Sequence, residues 1–386
     1  MGKLSLITIS IVFVVLLGSC SPKYAYEIPK QANDGWLTAS LLDVGLNEGK
    51  LGELMKDIKQ GKYENIHSVL IVKDEKLVFE EYFGGYTFNY FGEQFRGEYA
   101  EFGVNTMHNL ASVTKAYTSF LIGLAVDHGF ISSVEQTIFT YFPEYSYLND
   151  SEKNKITLEH LLTMTSGLEW NEGDVPLTDT ERNDLIQLFI VSDPIEYILA
   201  KPVVAEPGKR FYYSGGDVNI LGEIVRRATG LRIDDFAEKY LFTPLGVTDY
   251  EWQFLNDDIV YTSGDLKLRP RDMAKLGQLY LNNGIWGGKQ IISEEWIKNS
   301  KQEYISIPNS YMAEAYGYGY GYQWFIQTFY VDSTPFDSIS RDGWGGQRIQ
   351  VFPSLNMVVV LTGGNYAKEP TPVNEIITRY ILPAVN

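Results

Sequence analysis

Residues 109–129, NLASVTKAYTSFLIGLAVDHG, contain the only Ser-x-x-Lys spacing in the chain, Ser112 followed by Lys115. Apolar side chains recur with helical spacing over residues 120–125, and Gly129 stands where a helix would end. Residues three apart lie on the same face of a helix, so the amine of Lys115 can reach the hydroxyl of Ser112 within one turn. This stretch therefore predicts a helix that begins at a serine and lysine pair.

The serine and lysine pair has two interpretations. A serine hydroxyl attacks a carbonyl when a base removes its proton, and a lysine can be that base if burial or a nearby positive field keeps it neutral. A serine at a helix start also lies near free backbone N–H groups, which can hold an oxyanion. The alternative is an ordinary polar pair, because this spacing is expected about once by chance in a chain of this length.

The composition is that of a globular chain with a strong negative charge. Apolar residues make up 45% and charged residues 21% of the 386 residues, enough for one two-lobed unit or two domains. The formal net charge is -17. Because this charge repels phosphate, we expect no nucleic acid partner.

The N-terminus predicts export and a lipid anchor. Lys3 precedes an apolar run over residues 4–17, which suits a signal peptide and is too short to span a bilayer. Cys20, the only cysteine, follows Leu-Gly-Ser in a pattern that resembles a bacterial lipoprotein signal. We expect a signal peptide at residues 1–19 and a lipid on Cys20, attached to a bacterial membrane and facing the periplasm or the cell exterior. A plain secretory signal is the alternative, and residues 20–36 are predicted to be a tether.

Strand signals lie toward both ends of the chain, and helical signals lie between them. Residues 68–83 contain two β-rich runs and predict a hairpin, and residues 347–352 and 356–362 predict further strands. Helical patterns occupy the middle third, including residues 218–230, which end in a glycine. This order predicts an α+β fold with one shared core. Its parts are an α/β lobe over about 37–108 and 266–386 and a helical lobe over about 109–265.

Two glycine-containing motifs accompany the serine and lysine pair. Tyr213 and Gly215 lie in a turn just before a predicted helix, which is an exposed position for a phenol. A tyrosine beside a lysine loses its proton more readily and can relay protons, although it can also be a plain aromatic plug. Residues 344–346, Trp-Gly-Gly, lead into a strand. Glycine there lets a substrate approach the strand backbone closely.

Other catalytic patterns are absent from the sequence. It contains no Gly-x-Ser-x-Gly motif and no P-loop, since Asn283 stands where the first glycine of a P-loop would be. We expect neither a metal nor an organic cofactor, because the four histidines lie in no metal-ligand spacing. They are expected to be surface or satisfied core residues: His67, His108, His128 and His160.

The mature chain resembles the serine hydrolases related to class C β-lactamases and penicillin-binding proteins. The resemblance implies an α/β lobe of antiparallel strands flanked by helices, an all-α lobe, and an active site between them. It also implies a nucleophile at Ser112, its base at Lys115, a second-motif tyrosine at Tyr213, and an oxyanion hole made by the N–H groups of Ser112 and Gln347. The third motif would be Trp344, Gly345 and Gly346. The segments that carry the resemblance are SVLIVKDEKLVFEEYF, HNLASVTKAYTS, ITLEHLLTMTSGLEW, EPGKRFYYSGGDVNILGEIVRRATG, PLGVTDYEW, RPRDMAKLGQLYLNNG and GWGGQRIQVFPSLNMVVVLTGG.

Two departures from the lactamase pattern affect the substrate. Gly215 stands where that branch has an asparagine that holds an acylamino side chain, and Trp344 stands where it has a lysine. Trp-Gly-Gly resembles the variant found in esterases of this family, and the 6-aminohexanoate-oligomer hydrolases share the general outline. Arg341 or Arg348 could restore a cation, but both are expected to be solvated strand or turn residues.

We therefore predict an esterase or amidase that acts on a small ester, amide or peptide through an acyl-serine. The alternatives within the family are a β-lactamase or D-Ala-D-Ala carboxypeptidase, a 6-aminohexanoate-oligomer hydrolase, and a non-catalytic penicillin-binding-like sensor. A metallohydrolase is disfavoured because the histidines are not clustered. Glu169 is an alternative deacylation base, ranked behind Tyr213.

Overall fold

The computed structural model describes residues 24–307, 316–368 and 371–385. The predicted signal peptide and Cys20 lie outside these residues. The strands in chain order are β1 (Leu37–Thr38), β2 (Ile66–Lys73), β3 (Lys76–Tyr82), β4 (Gly84–Phe88), β5 (Arg96–Glu101), β6 (His108–Asn109), β7 (Glu251–Trp252), β8 (Leu266–Leu268), β9 (Ile285–Trp286), β10 (Lys289–Gln290), β11 (Ile305–Ser306), β12 (Tyr316–Tyr320), β13 (Phe325–Val331), β14 (Thr334–Gly343), β15 (Gln347–Phe352) and β16 (Met357–Gly363).

The helices surround a sheet built from both ends of the chain. In chain order they are α1 (Glu48–Lys59), α2 (Thr114–Asp127), α3 (Leu158–Leu162), α4 (Asp184–Gln187), α5 (Pro194–Leu199), α6 (Gly215–Thr229), α7 (Ile233–Ala237), α8 (Thr243–Leu245), α9 (Pro270–Leu281), α10 (Glu294–Ser300) and α11 (Val373–Ile376). Within the described ranges, no helix is long and apolar enough to cross a membrane.

Nine of the strands form one sheet in the order β1-β3-β2-β16-β15-β14-β13-β12-β11. Every neighbouring pair is antiparallel except β1 and β3 at one edge, which are parallel. The predicted α+β fold, with strands from both ends of the chain in one sheet, is thereby confirmed, and the single parallel pair is the departure from an all-antiparallel sheet.

Alternating side chains of the central strands fill two separate cores. Leu70 and Val72 of β2 belong to the core shared with α2, α6 and α9, whereas Val69 and Ile71 belong to the core shared with α1 and the C-terminal helix. Successive residues of a strand point to opposite faces, so a strand that is covered on both faces must be apolar throughout. The predicted hairpin turns at Asp74 and Glu75, whose φ angles of 51° and 64° suit the tight turn that twisted strands require.

The predicted tether is wrong from Tyr24 onward. The hydroxyl of Tyr24 donates to Glu81 Oε1 at 2.6 Å, and the hydroxyl of Tyr26 donates to the carbonyl of Val78 at 2.8 Å. Further along, the side chain of Trp36 is buried. Residues 24–36 therefore pack against the sheet edge, because their aromatic side chains find partners far along the chain that a polar, proline-containing composition does not reveal.

Helix α6 begins at Gly215, two residues after Tyr213 of the active site described below. The side chain of Ser214 accepts from the N–H of Asp217 at 3.0 Å and caps the first turn, and Gly230 ends the helix with a φ of 71°. Its buried face packs against α2 and α3. The segment predicted to be helical over residues 218–230 is thus part of a longer helix that begins at Gly215.

Two buried histidines pack against one aromatic ring. His67 and His108 flank the ring of Phe102, with ring centroids 3.8 Å and 4.7 Å from it. Burial, together with the neighbouring His108, lowers the pKa of His67 to about 3, and burial lowers the pKa of His108 to about 4. Both histidines are core residues, which is one of the two places expected for them. His128 is exposed.

Acid is expected to destabilise the protein through His108. Its folded pKa lies below the unfolded value of about 6.5, so the unfolded chain binds more protons below that pH and stability falls as the pH drops from about 6.5 to about 4. Between pH 7.5 and pH 5, the free energy of unfolding of His108→Asn, measured with urea, should fall by about 2 kcal/mol less than that of the wild type. The exposed His128→Gln variant is the control. Equal losses in wild type and His108→Asn would contradict the prediction.

Candidate active site

Ser112 lies in a strained turn that leads directly into α2. The turn, Ala111–Val113, is a single 3-10 turn, and Ala111 has a φ of 44°. A positive φ at a residue with a Cβ costs free energy and is typical of functional sites. Asn109 holds the turn, since its Oδ1 accepts from the N–H of Ala111 at 2.7 Å and its Nδ2 donates to Asp265 Oδ1 at 2.9 Å. We call residues 110–113 the nucleophile turn.

Lys115 is buried beside Ser112. Its Nζ lies 3.0 Å from Ser112 Oγ and donates to the carbonyl of Ser263 at 2.6 Å. The same atom lies 4.9 Å from the centre of the Tyr213 ring. The structure therefore brings the three residues predicted from separate motifs into one cluster, with the amine directed at the hydroxyl.

Arg341 connects the nucleophile turn with Tyr213. Its Nε donates to the carbonyl of Ser112 at 2.9 Å, its Nη2 to the hydroxyl of Tyr213 at 3.0 Å, and its Nη1 to the hydroxyl of Tyr320 at 2.5 Å. The side chain is 0% exposed. Burial acts to lower the pKa of Arg341, but Tyr213 and Tyr320 outweigh it and raise that pKa overall. The expectation that Arg341 is solvated is wrong.

Arg348 is also buried, but it serves another part of the protein. Its Nε lies 2.5 Å from Asp342 Oδ1, its Nη1 donates to Gln350 Oε1 at 2.8 Å, and its Nη2 donates to Asn374 Oδ1 at 3.3 Å. Asp342 follows Arg341 on β14 and so points to the opposite face of the sheet. The expectation of a solvated Arg348 is wrong, and its contacts hold the sheet to the C-terminal helix.

Gly343, the last residue of β14, lies against the nucleophile turn. A Cβ built on Gly343 would lie 2.3 Å from the carbonyl oxygen of Leu110. Residues 344–346 form the connection between β14 and β15, where Gly345 and Gly346 have φ angles of 87° and 94°. The nearest atom to a Cβ on Gly346 would be 3.7 Å away. The end of β14 therefore lies against the nucleophile turn, and the approach of a substrate to residues 344–346 stays a prediction.

Gln347 is the first residue of β15 and pairs with Gly343 across the hairpin. Its side chain is buried, and its Nε2 donates to the carbonyls of Gly363 at 2.6 Å and Trp344 at 3.3 Å. These contacts hold the turn to β16 rather than to Ser112. An oxyanion donor at Gln347 stays a prediction.

Gly343→Ala is expected to impair catalysis. The added Cβ would meet a backbone carbonyl at 2.3 Å, so β14 must move away from the nucleophile turn, and a displacement of about 1 Å costs on the order of 100-fold in rate. Gly346→Ala is the matched control, since it is strained by its φ of 94° but creates no close contact. It should lose about 1 kcal/mol of stability and keep the rate of the folded enzyme. Equal kcat/KM for both variants would contradict the prediction.

Gly215 leaves room for a carboxylate that the sequence motifs did not reveal. The N–H of Gly215 donates to Glu172 Oε2 at 2.6 Å, and Trp170 Nε1 donates to the same oxygen at 2.8 Å. A Cβ on Gly215 would lie 2.7 Å from this oxygen and 3.1 Å from Ser263 Oγ. Two features of the sequence could have indicated this carboxylate: the missing side chain at Gly215 and the acidic loop after Trp170. Glu169, the alternative base, is exposed.

The segment 261–265 was also missed, because it has no catalytic motif. Thr118 Oγ1 donates to the carbonyl of Thr262 at 2.8 Å, and Asn219 Nδ2 donates to Ser263 Oγ at 2.9 Å. These bonds fix the segment between α2 and α6, so that the carbonyl of Ser263 meets Lys115. Among the described residues, no group of three His, Cys, Asp or Glu side chains could hold a metal ion.

A family model described as Beta-lactamase matches residues 66–375. The chain belongs to the β-lactamase family. Members of this family are serine hydrolases, so the suspected family and the enzyme class are both confirmed. The β-lactamase-family match includes the nucleophile turn, Lys115, Tyr213 and Arg341.

Similar proteins carry several names within the β-lactamase family. Monacolin J acid methylbutanoyltransferase of Aspergillus terreus is 32% identical over 162 residues, 38% of this chain and 38% of that protein, so the match spans well under half of that relative. A structure titled "Putative 6-aminohexanoate-dimer hydrolase from Bacillus anthracis" has a TM-score of 0.67 at 23% identity and covers 90% of this chain and 87% of that one. A family VIII carboxylesterase has a TM-score of 0.65 at 19% identity and covers 86% and 96%. At these identities the two structures show the fold alone.

Proposed function

We propose that this protein hydrolyses uncharged or cationic esters or amides through an acyl-serine on Ser112. The observation that carries the proposal is the 3.0 Å contact between Lys115 Nζ and Ser112 Oγ, in a cluster that also contains Tyr213. Lys115 is the base, and Tyr213 is the proton relay.

In the acylation step, neutral Lys115 takes the proton of Ser112 as Oγ bonds to the substrate carbonyl carbon. The negative charge moves to the carbonyl oxygen, which is held by the N–H of Ser112 and a second backbone donor. The predicted donor is the N–H of Gln347, and the N–H of Trp344 is the alternative, because Trp344 directly follows Gly343, which abuts the nucleophile turn. β13 pairs with β14 only as far as Ser340, which leaves the end of β14 free of that strand.

When the intermediate collapses, the bond to the leaving group breaks and the leaving oxygen or nitrogen takes a proton from Tyr213. The phenolate that forms is stabilised by the guanidinium of Arg341, 3.0 Å from the hydroxyl, and recovers its proton from the Lys115 ammonium. Water then attacks the acyl-serine carbonyl carbon, and Lys115 and Tyr213 take its proton and return it to Ser112 Oγ as the acyl–oxygen bond breaks and the acid leaves.

The charge of the cleft decides which substrates fit. Arg341 is 0% exposed and its Nε, Nη1 and Nη2 are committed to protein oxygens, so it cannot receive a substrate carboxylate. A carboxylate that enters a partly desolvated cleft without a cation loses hydration that nothing replaces. β-Lactams and D-Ala-D-Ala peptides should therefore be poor substrates.

The test is a hydrolysis profile of the purified protein. We expect higher kcat/KM for p-nitrophenyl butyrate than for nitrocefin, a D-Ala-D-Ala peptide or 6-aminohexanoate dimer. Faster hydrolysis of nitrocefin would show that a cation faces the substrate and would favour a β-lactamase. No turnover of any of these compounds, together with acylation by a penicillin, would favour the non-catalytic sensor.

We also propose that Cys20 carries a lipid anchor. It is the only cysteine, and just three residues separate it from Tyr24, which is packed on the sheet edge. The domain would then sit directly at the membrane surface, where it faces the periplasm or the cell exterior. Cys20→Ala should release the protein from membranes with its hydrolysis rate unchanged. A wild-type protein without lipid in mass spectrometry would end this proposal.

A further inference from the structure

Glu172 presents one committed and one free carboxylate oxygen beside the catalytic cluster. Oε2 accepts the two N–H bonds from Trp170 and Gly215. Oε1 has no hydrogen-bond partner among the described residues, and it is not among their buried unpaired atoms, so it reaches solvent. A carboxylate held in place by one oxygen, with its other oxygen accessible, is a rigid acceptor for a ligand.

The position of Glu172 relative to the nucleophile follows from Ser263. The carbonyl of Ser263 accepts from Lys115, while its Oγ lies 3.1 Å from the place where Gly215 lacks a Cβ. Glu172 Oε2 lies 2.7 Å from that same place. Ser263 and the backbone of Gly215 therefore lie between the carboxylate and the catalytic lysine, which places Glu172 in the surroundings of the cluster.

Aromatic rings pack around Trp344, which directly follows the end of β14. The half-buried ring of Trp344 packs against Phe88 and Phe95, with ring centroids 5.5 Å and 4.9 Å apart. The hydroxyl of Tyr90 donates to the carbonyl of Leu177 at 2.6 Å, which joins the hairpin of β4 and β5 to the loop that carries Glu172. Aromatic faces attract cations, most strongly when water is excluded.

We propose that the cleft recognises a positively charged group on its substrate, an ammonium or quaternary ammonium that meets Glu172 Oε1. The proposal rests on the function proposed above and names the substrate class of the same site. Arg341 is buried and bound to three protein oxygens, so among these charged groups it is Glu172 that offers an accessible atom to a ligand. The net charge of -17 also steers cations toward the protein.

The test compares esters that differ only in charge. The first pair, with the charge on the acyl side, is p-nitrophenyl 4-(trimethylammonio)butanoate and its neutral isostere, p-nitrophenyl 5,5-dimethylhexanoate. The second pair, with the charge on the leaving group, is acetylcholine and 3,3-dimethylbutyl acetate. We expect the wild type to favour the cationic member of one pair by about tenfold in kcat/KM through KM, and this pair identifies the side that faces Glu172.

Glu172→Gln can keep the two N–H bonds through its amide oxygen, and it removes the charge. It should lose the preference for the cationic ester, so that the ratio of kcat/KM within the pair falls to about one. Glu169→Gln, an exposed glutamate on the same loop, should keep the preference. Equal slowing of both members of a pair by Glu172→Gln would show that Glu172 only holds the loop to α6, and would overturn the proposal.

A binding measurement separates this proposal from the catalytic one. Butyltrimethylammonium should bind to the Ser112→Ala protein in calorimetry and should bind at least about tenfold more weakly to Ser112→Ala/Glu172→Gln. If the ammonium binds but no ester is hydrolysed, the proposed function fails and the recognition of cations stands. Equal binding to both proteins, or binding to neither, overturns the recognition of cations whatever the hydrolysis results are.

Discussion

Replacing Ser112 by alanine is expected to abolish ester hydrolysis and labelling by a fluorophosphonate together, because both require the same oxygen nucleophile. Lys115→Ala should lower kcat by about 10³-fold or more, since Lys115 Nζ at 3.0 Å is the nearest base to Ser112 Oγ in the cluster. Members of a catalytic group that act as one unit show non-additive losses, so the double variant should be little worse than Ser112→Ala. Steady-state kinetics with p-nitrophenyl butyrate and gel-based labelling measure these effects.

Ser119→Ala is the matched control for the nucleophile. Ser119 lies on the same helix and is buried, and its Oγ has no hydrogen-bond partner in the described structure. Its removal should leave turnover and labelling unchanged and cost little stability, because no bond is lost. Labelling of the Ser112→Ala protein at another serine would show that Ser112 is not the nucleophile.

Arg341→Met is the second substitution for which we expect a large effect. It removes the guanidinium that binds the hydroxyl of Tyr213 and the carbonyl of Ser112, so the phenolate formed during proton transfer loses its neighbouring cation. We expect kcat to fall by about 10²- to 10³-fold, the scale seen when one preorganised donor at a charged intermediate is removed. KM for an uncharged ester should change little, because Arg341 is 0% exposed and does not reach the substrate.

The matched control for Arg341 is Arg348→Met. Both arginines are buried on neighbouring strands, but Arg348 is bound to Asp342, Gln350 and Asn374, away from the cluster. Both variants leave buried partners unpaired and should lower the melting temperature. Only Arg341→Met should also lower kcat of the folded protein, and Arg341→Lys should recover part of it, since a lysine restores the charge without the fork of donors. Equal kcat losses in both methionine variants would assign Arg341 a structural role alone.

The parts of this protein that local patterns predicted are those in which neighbours along the chain meet. Ser112 and Lys115 are three residues apart, so helical geometry alone brings them together at the start of α2. The hairpin of β2 and β3 follows from two apolar runs around a short turn, and β15 spans the predicted residues 347–352. Gly230 ends α6 as expected, because glycine readily adopts a positive φ.

The other features depend on side chains that are far apart along the chain. Arg341 reaches Ser112 across 229 positions and Tyr213 across 128, and Trp36 reaches Arg271 across 235. Hydrophobic periodicity reflects only residues that are close along the chain, so it does not predict these contacts. Residue type alone predicts that a charged arginine lies in water. Inside the protein, two tyrosine hydroxyls and a backbone carbonyl accept the hydrogen bonds of Arg341.

Long-range packing also determines the contacts of the third motif and the position of the carboxylate near the active site. The sequence contains Gly343 and the glycines of residues 344–346, and only the tertiary packing shows that Gly343 meets the carbonyl of Leu110 whereas Gly345 meets the ring of Tyr366. Similarly, Gly215 shows that an amide is missing, whereas the fold of a loop 43 residues earlier determines that Glu172 fills the space. Local hydrogen bonding and periodicity determine the elements, but the groups that surround a reacting atom are chosen by long-range packing, because each comes from a different element.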